Sequence, residues 1–551
     1  MDSFYINTLL FIILLTGSCS LVSERAKVAP QWGQVTISIH STVDYPNPYM
    51  DVDVHAVFTH EDGTVIRRPA FWDGNNIWRI RFSSPLASGE WAWITYCSDI
   101  DNEGLHNIEG SIRSVRQPGD NKLTERGLLR MSPGRRTIVH ADGRPFVLTA
   151  DTPWALPFRG TAETVSVYAK DRKAKGFNAA LLMTLMPDRE ADGPNDRRSP
   201  GGFARAFEDL PQGHLTRMNP EYFQCLDTLI SILLDHEIVP VYQPVFHGFG
   251  WKGLNILGWN IDPGEYARYC RYLVARYGAG PALWLAGGDS HGNNPGIKEA
   301  GMEIEEWDAY RQPVGIHYNP FDDYCPDYMS HESCFHENRV HQDASWLDFQ
   351  WCQTGHDGYH LPHKVFRMYY NKPEKGVANG EPTYEAIGMN PGRAAGWWQG
   401  HEAWLQFTSG GTMGHVYGAA GLWQWKLYPD EPGWPAWADG KGLSWREAID
   451  LEGSAYVGYF GKILQNYDIT DIFVRHDLAN GEHLLARTGD LYICYLPEGG
   501  EVRIIGVPPD MSYRWYDPVN GRATNDQWVT RDIFTAPGGG PSVLIIGDKL
   551  P

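Results

Sequence analysis

The stretch Leu283-Trp-Leu-Ala-Gly-Gly-Asp289 decides the fold, because it is a short apolar run that ends in two glycines and a carboxylate. A helical pattern precedes it, with aromatic and aliphatic residues at the spacing of one helix face: Tyr266, Tyr269, Leu273 and Tyr277. Short apolar strands that alternate with amphipathic helices are typical of βαβ units. We therefore expect this stretch to be one strand of a parallel sheet in an α/β fold.

The same alternation of strand and helix patterns extends over residues 128–453. Together with Leu283–Ala286, the apolar stretches number eight, which is the count that a (β/α)8 TIM barrel requires. The other seven are Phe146–Ala150, Ala179–Met183, Ile238–Tyr242, Val314–His317, Trp346–Gln350, a strand ending near Asn379, and Thr412–Tyr417. The sequence therefore predicts a TIM barrel in the middle of the chain.

Antiparallel β-sandwiches are expected on both sides of the barrel. Polar and apolar residues alternate in Gln34–His40 and Ile77–Phe82, and strand-like stretches return in His483–Thr488 and Leu491–Leu496. The chain has 551 residues, whereas single hydrophobic cores stop growing at about 250–300 residues. The predicted domains are a sandwich at 31–117, the barrel at 128–453 and a second sandwich at 454–551.

The amino-terminal residues indicate export. Residues 6–15 form an apolar run that is too short to span a bilayer, and Thr16-Gly-Ser-Cys19 follows it. We expect a signal peptide at residues 1–19, with Cys19 in a lipoprotein box. The mature protein is then expected in the periplasm or on the outer cell surface, where its membrane contact would be a lipid at Cys19.

The composition excludes one class of partner and favours another. A formal net charge of −20 argues against nucleic-acid binding, because such proteins need a basic surface to neutralise phosphates. The 22 Trp and 28 Tyr residues would suit a carbohydrate partner, since aromatic rings can stack on sugars, although most aromatic side chains fill cores.

Polar and aromatic residues follow most of the predicted barrel strands. In TIM barrels the carboxyl ends of the strands build the active site, so these residues are candidates for contact with a substrate. They are Asp151, Trp154, Asp188, Gln243, His247, His317, Gln353, His356, Trp423 and Trp425.

Two carboxylates stand out among the strand ends. Asp289 follows the fourth strand and Glu381 the seventh, and glycoside hydrolysis commonly needs two carboxyl groups across the scissile bond. Gly287 and Gly288 would let the backbone approach a sugar. The structural alternatives are that Asp289 caps a helix and that Glu381 is a surface carboxylate. Glu385 could compete as nucleophile, but on a helix after the turn it would point away from the barrel mouth.

Five motifs in order carry a resemblance to a known family. The barrel resembles the apiosidase-like barrel of glycoside hydrolase family 140 and its relatives. The motifs are Asp151-Thr-Pro-Trp154, Asn219-Pro-Glu-Tyr-Phe223, Gly287-Gly-Asp289, Asn379-Gly-Glu-Pro-Thr-Tyr-Glu385 and Tyr417-Gly-Ala-Ala-Gly-Leu-Trp423. This resemblance implies that Asp289 is the acid/base and Glu381 the nucleophile of a retaining enzyme.

The amino-terminal stretch has a resemblance of its own. Trp78-Arg-Ile-Arg-Phe82 and Gly89-Glu-Trp-Ala-Trp93 resemble the immunoglobulin-like domain that often precedes bacterial polysaccharide-degrading barrels. Such a domain is not a fixed part of apiosidases, so its presence leaves the sugar open.

No metal ion or other cofactor is expected. Two histidine groups have spacings that could suggest a metal, but neither contains a paired-ligand motif of recognised spacing: one is His331, Cys334 and His336, the other His356, His360 and His363. Cys325 and Cys334 are candidates for a disulfide, whereas most cysteines are expected to be buried and free.

We expect a retaining, exo-acting glycoside hydrolase of a plant cell-wall, pectic or similar side chain, with apiose as one candidate sugar. A glycosidase of the same fold that acts on another glycoside is the nearest alternative. The alternative from another class is a non-catalytic surface glycan-binding lipoprotein. The presence of both carboxylates argues against it.

Overall fold

The computed structural model describes residues 27–116, 119, 121–185, 205–247, 260–319, 338–356, 362–388, 395–431, 434, 436–480, 483–548 and 550. The predicted signal peptide and Cys19 lie outside these residues, so export and lipidation stay predictions. In the described part of the chain, every helix is too short or too polar to cross a membrane.

Seven strands form an amino-terminal sandwich. They are β1 (Lys27–Pro30), β2 (Gln34–His40), β3 (Val54–His60), β4 (Val65–Trp72), β5 (Ile77–Ser83), β6 (Gly89–Cys97) and β7 (Glu109–Val115), with helix α1 (Pro48–Asp51) between β2 and β3. The first part of β4 pairs with β3 and its last three residues pair with β5, so β4 connects the two layers. Phe58 of β3 stacks on Phe82 of β5 with ring centroids 4.2 Å apart. The predicted sandwich is confirmed.

A small sheet leads into the barrel. It contains β8 (Leu129–Met131), β9 (Ile138–His140) and β10 (Pro145–Phe146), and helix α2 (Lys122–Arg126) precedes it. The Thr412 hydroxyl just before the last barrel strand donates to the carbonyl of Arg136, 2.8 Å away. The small sheet therefore lies at the amino end of the barrel, opposite the strand ends that build the site.

Eight parallel strands form a closed barrel, because the first pairs with the last. They are β11 (Leu148–Asp151), β12 (Ala179–Met183), β13 (Val239–Gln243), β14 (Leu283–Ser290), β15 (Val314–Tyr318), β16 (Phe349–Gln353), β17 (Gly376–Glu381) and β18 (Gly414–Tyr417). All their residues are buried, which explains why the strands read as continuous apolar runs. The predicted fold class and strand count are confirmed.

Helices surround this barrel. They are α3 (Leu156–Arg159), α4 (Ala162–Lys175), α5 (Pro220–Asp235), α6 (Pro263–Tyr277), α7 (Ile297–Trp307), α8 (Pro362–Tyr369), α9 (Trp398–Thr408), α10 (Ala436–Asp439), α11 (Trp445–Ala448) and α12 (Gly453–Leu464). Helix α5 begins as predicted, since Asn219 accepts a hydrogen bond from the Glu221 N–H and Pro220 occupies the first turn.

Two predicted boundaries were wrong. The sixth strand begins at Phe349 rather than Trp346, because the Trp346 ring packs over Gly301 of α7 and belongs to the turn before the strand. The chain also does not return to strands after Gly453. Helix α12 begins there and packs on β11 and α4, so it belongs to the barrel.

Nine strands form the carboxy-terminal unit. They are β19 (Phe473–Val474), β20 (His483–Arg487), β21 (Leu491–Leu496), β22 (Glu501–Arg503), β23 (Ser512–Asp517), β24 (Arg522–Ala523), β25 (Gln527–Trp528), β26 (Ile533–Thr535) and β27 (Ser542–Gly547). Strands β22 and β26 pair separately from the larger sheet, and Val502 and Phe534 share one core with Tyr492 and Leu544 of that sheet. This arrangement agrees with the predicted second sandwich.

The amino-terminal sandwich is fixed to the barrel helices by arginines. Arg81 of β5 pairs with Asp227 of α5 at 2.5 Å, and Arg276 of α6 pairs with Asp73 at 2.9 Å. Arg68 of β4 donates to the carbonyl of Val274 at 2.8 Å. The sandwich therefore contacts the helical flank of the barrel.

Asp151 anchors helix α4 to the first barrel strand. Its Oδ2 lies 2.5 Å from Nε of Arg172 and accepts a hydrogen bond from the Tyr168 hydroxyl at 3.2 Å. The other oxygen accepts from the N–H of Thr152 at 2.7 Å. The carboxylate is fully buried, so the expectation that Asp151 contacts a substrate is corrected to a structural role.

We predict that Asp151→Ala destabilises the barrel by about 3–5 kcal/mol, because it leaves the Arg172 guanidinium buried without its main carboxylate. Chemical unfolding measures the change. Asp171→Ala is the control, because it removes the second carboxylate that contacts Arg172. The Asp171 side chain is 21% exposed, and we expect its removal to cost about 1 kcal/mol or less. A stable Asp151→Ala variant with a raised KM would instead restore the substrate role.

Candidate active site

Glu381 ends the seventh barrel strand and is only 5% exposed. Cys352 pairs with Asn379 and Gln353 with Glu381, so Gly380 is the extra residue of a bulge in β17. A side chain at position 380 would overlap the ring of Trp351. Bulges redirect the side chain that follows them, and this bulge determines where the Glu381 carboxylate lies.

Two imidazoles contact the two oxygens of this carboxylate. His356 Nε2 lies 3.0 Å from Oε1, and His317 Nε2 lies 3.2 Å from Oε2. Burial raises the pKa of Glu381, but the contacts and charges of His317 and His356 outweigh burial and hold that pKa below its usual range. Glu381 is therefore an ionised carboxylate, as a nucleophile must be.

A second layer of contacts holds each imidazole. His317 Nδ1 lies 3.2 Å from the side-chain amide of Gln243, at the end of the third strand. The Nδ1 of His356 lies 3.1 Å from the carbonyl oxygen of Pro382. Gln243 in turn lies over Gly288, and any side chain at position 288 would overlap Gln243. The third to seventh strands thus all contribute to the position of Glu381.

Asp289 lies within the fourth strand, one residue before its end. It is 5% exposed and has a φ of +46°, in the left-handed region that few non-glycine residues adopt. The pairing with β15 changes register between Gly287 and Ser290, so Asp289 belongs to a bulge. The helix-cap alternative is excluded, because α7 begins at Ile297 after Gly296.

The two glycines before Asp289 have a packing role. A side chain at Gly288 would overlap Gln243, and one at Gly287 would lie 2.7 Å from Cδ1 of Ile297. We had expected these glycines to let the backbone approach a sugar. The structure instead assigns them to close packing against Gln243 and helix α7.

Tyr384 is a buried tyrosine whose hydroxyl is affected by both carboxylates, and it was not predicted from the sequence. Burial raises the pKa of its hydroxyl well above the usual value, and the charges of Glu381 and Asp289 raise it further. Its ring lies 4.5 Å from that of His356, in a space that a side chain at Gly418 would fill. Both carboxylates raise the pKa of this one hydroxyl, and both lie at the carboxyl ends of barrel strands, so they share the barrel mouth.

Glu402 of α9 supports the turn that follows Glu381 and was also missed. It accepts hydrogen bonds from the Thr354 hydroxyl at 3.0 Å and from the N–H of Thr383 at 3.3 Å. Burial raises its pKa to about 7. A carboxylate in the apolar sequence of α9 was the signal that could have identified it, since buried carboxylates need partners.

Several predicted binding residues lie around this centre. The ring of Trp154 contacts those of Phe246 and His317, with centroids 5.3 and 5.9 Å away. His247 Nδ1 accepts from the N–H of Gly288 at 3.3 Å, and burial lowers the pKa of His247 to about 3. This neutral imidazole therefore supports the strand that carries Asp289.

The remaining predicted residues divide into those at the mouth and those in the core. Gln353 is buried and pairs with Glu381 in the barrel sheet. Trp423 is half-buried with its ring centroid 5.7 Å from that of Trp434, so a stacking role for it stays a prediction. Trp425 is fully buried and stacks on Trp445 with centroids 4.9 Å apart. Its expected role as a platform is corrected to a core role.

Two other carboxylates were weighed as site residues. Asp188 lies outside the described residues. Glu385 accepts from the Tyr417 hydroxyl at 2.6 Å and from the N–H of Gly453 at 3.1 Å. It is therefore held at the amino end of α12. It does not lie on a helix as predicted, but in an isolated bridge with Ala419.

The described residues bring together no group of three His, Cys, Asp or Glu side chains that could hold a metal ion. His331, Cys334, His336 and His360 lie outside these residues, as does Cys325. Among the described residues, five cysteines are not in disulfide bonds: Cys97, Cys225, Cys270, Cys352 and Cys494.

Two family profiles match the chain. One is described as "Apiosidase-like, catalytic domain" and matches residues 132–471, which is more than half of the chain. The other is described as "Domain of unknown function (DUF5060)" and matches residues 28–98, within the amino-terminal sandwich. No curated protein sequence matches the chain.

Solved structures with a similar fold include a glycoside hydrolase with a TM-score of 0.62 and 19% identity, covering 77% of this chain and 97% of its own. A family 5 glycoside hydrolase from Bacteroides vulgatus has a TM-score of 0.62 and 20% identity, with coverages of 77% and 94%. Another Bacteroides vulgatus structure has a TM-score of 0.64 and 17% identity, with coverages of 95% and 99%. At these identities the structures are similar in fold.

We predict that Gly288→Ala lowers kcat roughly ten-fold, about 1.4 kcal/mol, because the new methyl group displaces Gln243 from His317. Gly280→Ala is the control, since its nearest neighbouring atom would be 3.7 Å away. Steady-state rates measure both variants.

A double-variant cycle separates this cause from general damage to the barrel. In a Gln243→Ala background, Gly288→Ala should cost little further activity, because the displaced side chain is already absent. Equal losses in both backgrounds would show that Gly288 acts without Gln243.

Proposed function

This chain belongs to the apiosidase-like family and is a glycoside hydrolase, and from that premise we propose that it is a retaining enzyme with Glu381 as nucleophile and Asp289 as acid/base. The observation that carries the proposal is that two buried carboxylates, Glu381 and Asp289, lie at the carboxyl ends of strands in one closed barrel, with both oxygens of Glu381 contacted by imidazoles. Glu381 ends the seventh strand and Asp289 lies one residue before the end of the fourth, three strands away in the eight-stranded barrel.

In the first step of the proposed reaction, a carboxylate oxygen of Glu381 attacks the anomeric carbon of the sugar. The bond from that carbon to the leaving oxygen breaks, and Asp289 gives this oxygen its proton. In the second step, Asp289 takes a proton from water, the water oxygen bonds to the anomeric carbon, and Glu381 leaves as a carboxylate. Asp289 then carries its proton again and Glu381 its negative charge, as before the first step.

We propose side chains of plant cell-wall polysaccharides as substrates, attacked from their ends, with pectic oligosaccharides that contain apiose as the first compounds to test. The description of the matching family supports this choice. The half-buried ring of Trp423 supports a carbohydrate at the mouth. A screen of plant and algal oligosaccharides with product analysis tests the substrate.

We predict that Glu381→Gln abolishes turnover while the fold and ligand binding persist, because it keeps the side chain's shape but removes the nucleophilic oxygen. Rates on any glycoside found in the screen, with isothermal titration for binding, measure this. Substantial residual activity would overturn the assignment of Glu381. Binding without turnover by the unaltered protein would favour a glycan-binding role.

Asp289→Ala should slow glycosides with poor leaving groups by about 10²–10⁴-fold and spare aryl glycosides with good ones, since these need little protonation. Rates across a leaving-group series measure the dependence. An equal loss on all substrates would assign Asp289 another role.

The stereochemical prediction is that the first-formed sugar keeps the anomeric configuration of the substrate. In retaining enzymes the two carboxyl groups lie about 5–5.5 Å apart, which leaves no room for a water between them, so we expect Glu381 to attack the sugar directly. Proton NMR before mutarotation decides the outcome. An inverted product would mean that Glu381 activates water instead.

A further inference from the structure

His356 lies between two groups that accept hydrogen bonds. Its Nδ1 is 3.1 Å from the carbonyl oxygen of Pro382, and its Nε2 is 3.0 Å from Oε1 of Glu381. A carbonyl oxygen only accepts, so Nδ1 must carry a hydrogen. Rotating the ring by 180° would place carbon atoms against both oxygens, so the two contacts fix the ring orientation as well.

This arrangement fixes the number of protons that His356 and Glu381 hold together. A neutral imidazole with its hydrogen on Nδ1 has a lone pair on Nε2, which would face the lone pairs of a carboxylate at 3.0 Å. The pair must therefore hold one further proton between Nε2 and Oε1. Because imidazole is intrinsically a stronger base than a carboxylate, that proton belongs on His356.

The opposite oxygen of Glu381 faces His317, whose Nδ1 contacts the Gln243 amide. The amide's two ends can be exchanged by rotation. With the amide NH2 toward Nδ1, a neutral His317 carries its hydrogen on Nε2. That nitrogen lies 3.2 Å from Oε2, although the two atoms do not meet the geometry of a hydrogen bond. One imidazolium and one carboxylate then make a buried cluster without net charge, which is cheaper than one with a second imidazolium.

Other groups that titrate reach His356 from neighbouring elements. The ring of Tyr384 packs against it, and this phenol stays neutral because burial and the carboxylate charges raise its pKa. Asp289 acts on the same hydroxyl from the fourth strand. Glu402 of α9 contacts Thr354, two residues before His356. Among the described residues, Glu381 is the carboxylate in direct contact with His356.

We propose that His356 is the positioning residue of the nucleophile: as an imidazolium it keeps Glu381 ionised and oriented, and its loss of that proton at high pH inactivates the enzyme independently of Asp289. This proposal rests on the proposed function. Activity at high pH is then limited by the loss of a proton from either of two groups, His356 and Asp289. A retaining pair alone would be limited only by Asp289.

The imidazolium also contributes to the second step of the reaction. When Glu381 forms the ester with the sugar, its negative charge disappears while the proton on His356 stays in place. The charge returns as the carboxylate leaves, and the N–H of His356 then faces the oxygen on which it develops. No proton is transferred between His356 and Glu381, so the atom balance of the reaction is unchanged.

The test removes the contribution of the acid first. In Asp289→Asn, an aryl glycoside with a good leaving group needs no protonation, so kcat/KM no longer depends on the ionisation of residue 289. We expect kcat/KM of this variant to fall still at high pH, because His356 loses its proton. A flat profile at high pH, in a variant that still shows the fall at low pH, would overturn the proposal.

Two variants at position 356 complete the experiment. Both variants are made in the Asp289→Asn background. His356→Gln keeps an N–H donor toward Glu381 but has no group that titrates. The shorter side chain of His356→Asn keeps only an N–H donor toward the Pro382 carbonyl. With His356→Gln we expect the fall at high pH to vanish. We expect the fall at low pH to move up by about one pH unit or more, since an adjacent positive charge lowers a carboxylate pKa by about 1–3 units.

The comparison between these variants separates a proton-bearing role from a structural one. A His356 that served only packing would lower kcat/KM equally at every pH in both variants and leave the profile's shape unchanged, which would overturn the proposal. We expect His356→Asn to be slower than His356→Gln at neutral pH. Activity of Glu381→Gln would refute the proposed function itself, whereas an unchanged pH profile refutes only the role of His356.

Discussion

The structure of this site depends on keeping one buried carboxylate ionised. Glu381 is 95% removed from solvent, and an isolated charge in such a place is costly unless hydrogen bonds and opposite charge compensate. His317 and His356 provide this compensation, one for each oxygen. Each imidazole needs a fixed partner of its own, which is why Gln243 and the Pro382 carbonyl belong to the site although they lie behind it.

That requirement extends around the barrel mouth. Gln243 ends the third strand, and it can lie there only because residue 288 of the fourth strand is a glycine. His317 comes from the fifth strand and His356 from the loop after the sixth. The ring of Tyr384 packs on His356 only because residue 418, after the eighth strand, is also a glycine. A barrel can gather such a set because all its strands end at one face.

The sequence was sufficient to predict the barrel and to place Asp289 and Glu381 at strand ends, but not to predict the direction of each side chain. Strands buried on both faces read as apolar runs, so their number and order could be predicted. Successive residues of a strand face opposite sides, however, so an error of one residue places a side chain in the helical layer instead of inside the barrel. Asp151 was misassigned for this reason, whereas Trp425 lies in the turns after β18, where the sequence pattern does not fix the direction of a side chain. The bulges at Gly380 and Asp289 likewise have no signature that fixes their direction. Helix α12 was missed, and its Gly458 and Gly461 let it pack closely on Lys175 and Thr149.

In the proposed mechanism, the two carboxylates need opposite protonation states in the first step. Both imidazoles contact Glu381, so the negative charge of the site is stabilised there, and a second charge on a carboxylate nearby is disfavoured. The proton that the leaving oxygen requires therefore resides on Asp289 in the proposed mechanism. Once Glu381 becomes an ester its charge is gone, the imidazolium of His356 remains, and an ionised Asp289 is no longer opposed. The same arrangement thus favours an acid at residue 289 in the first step and a base in the second.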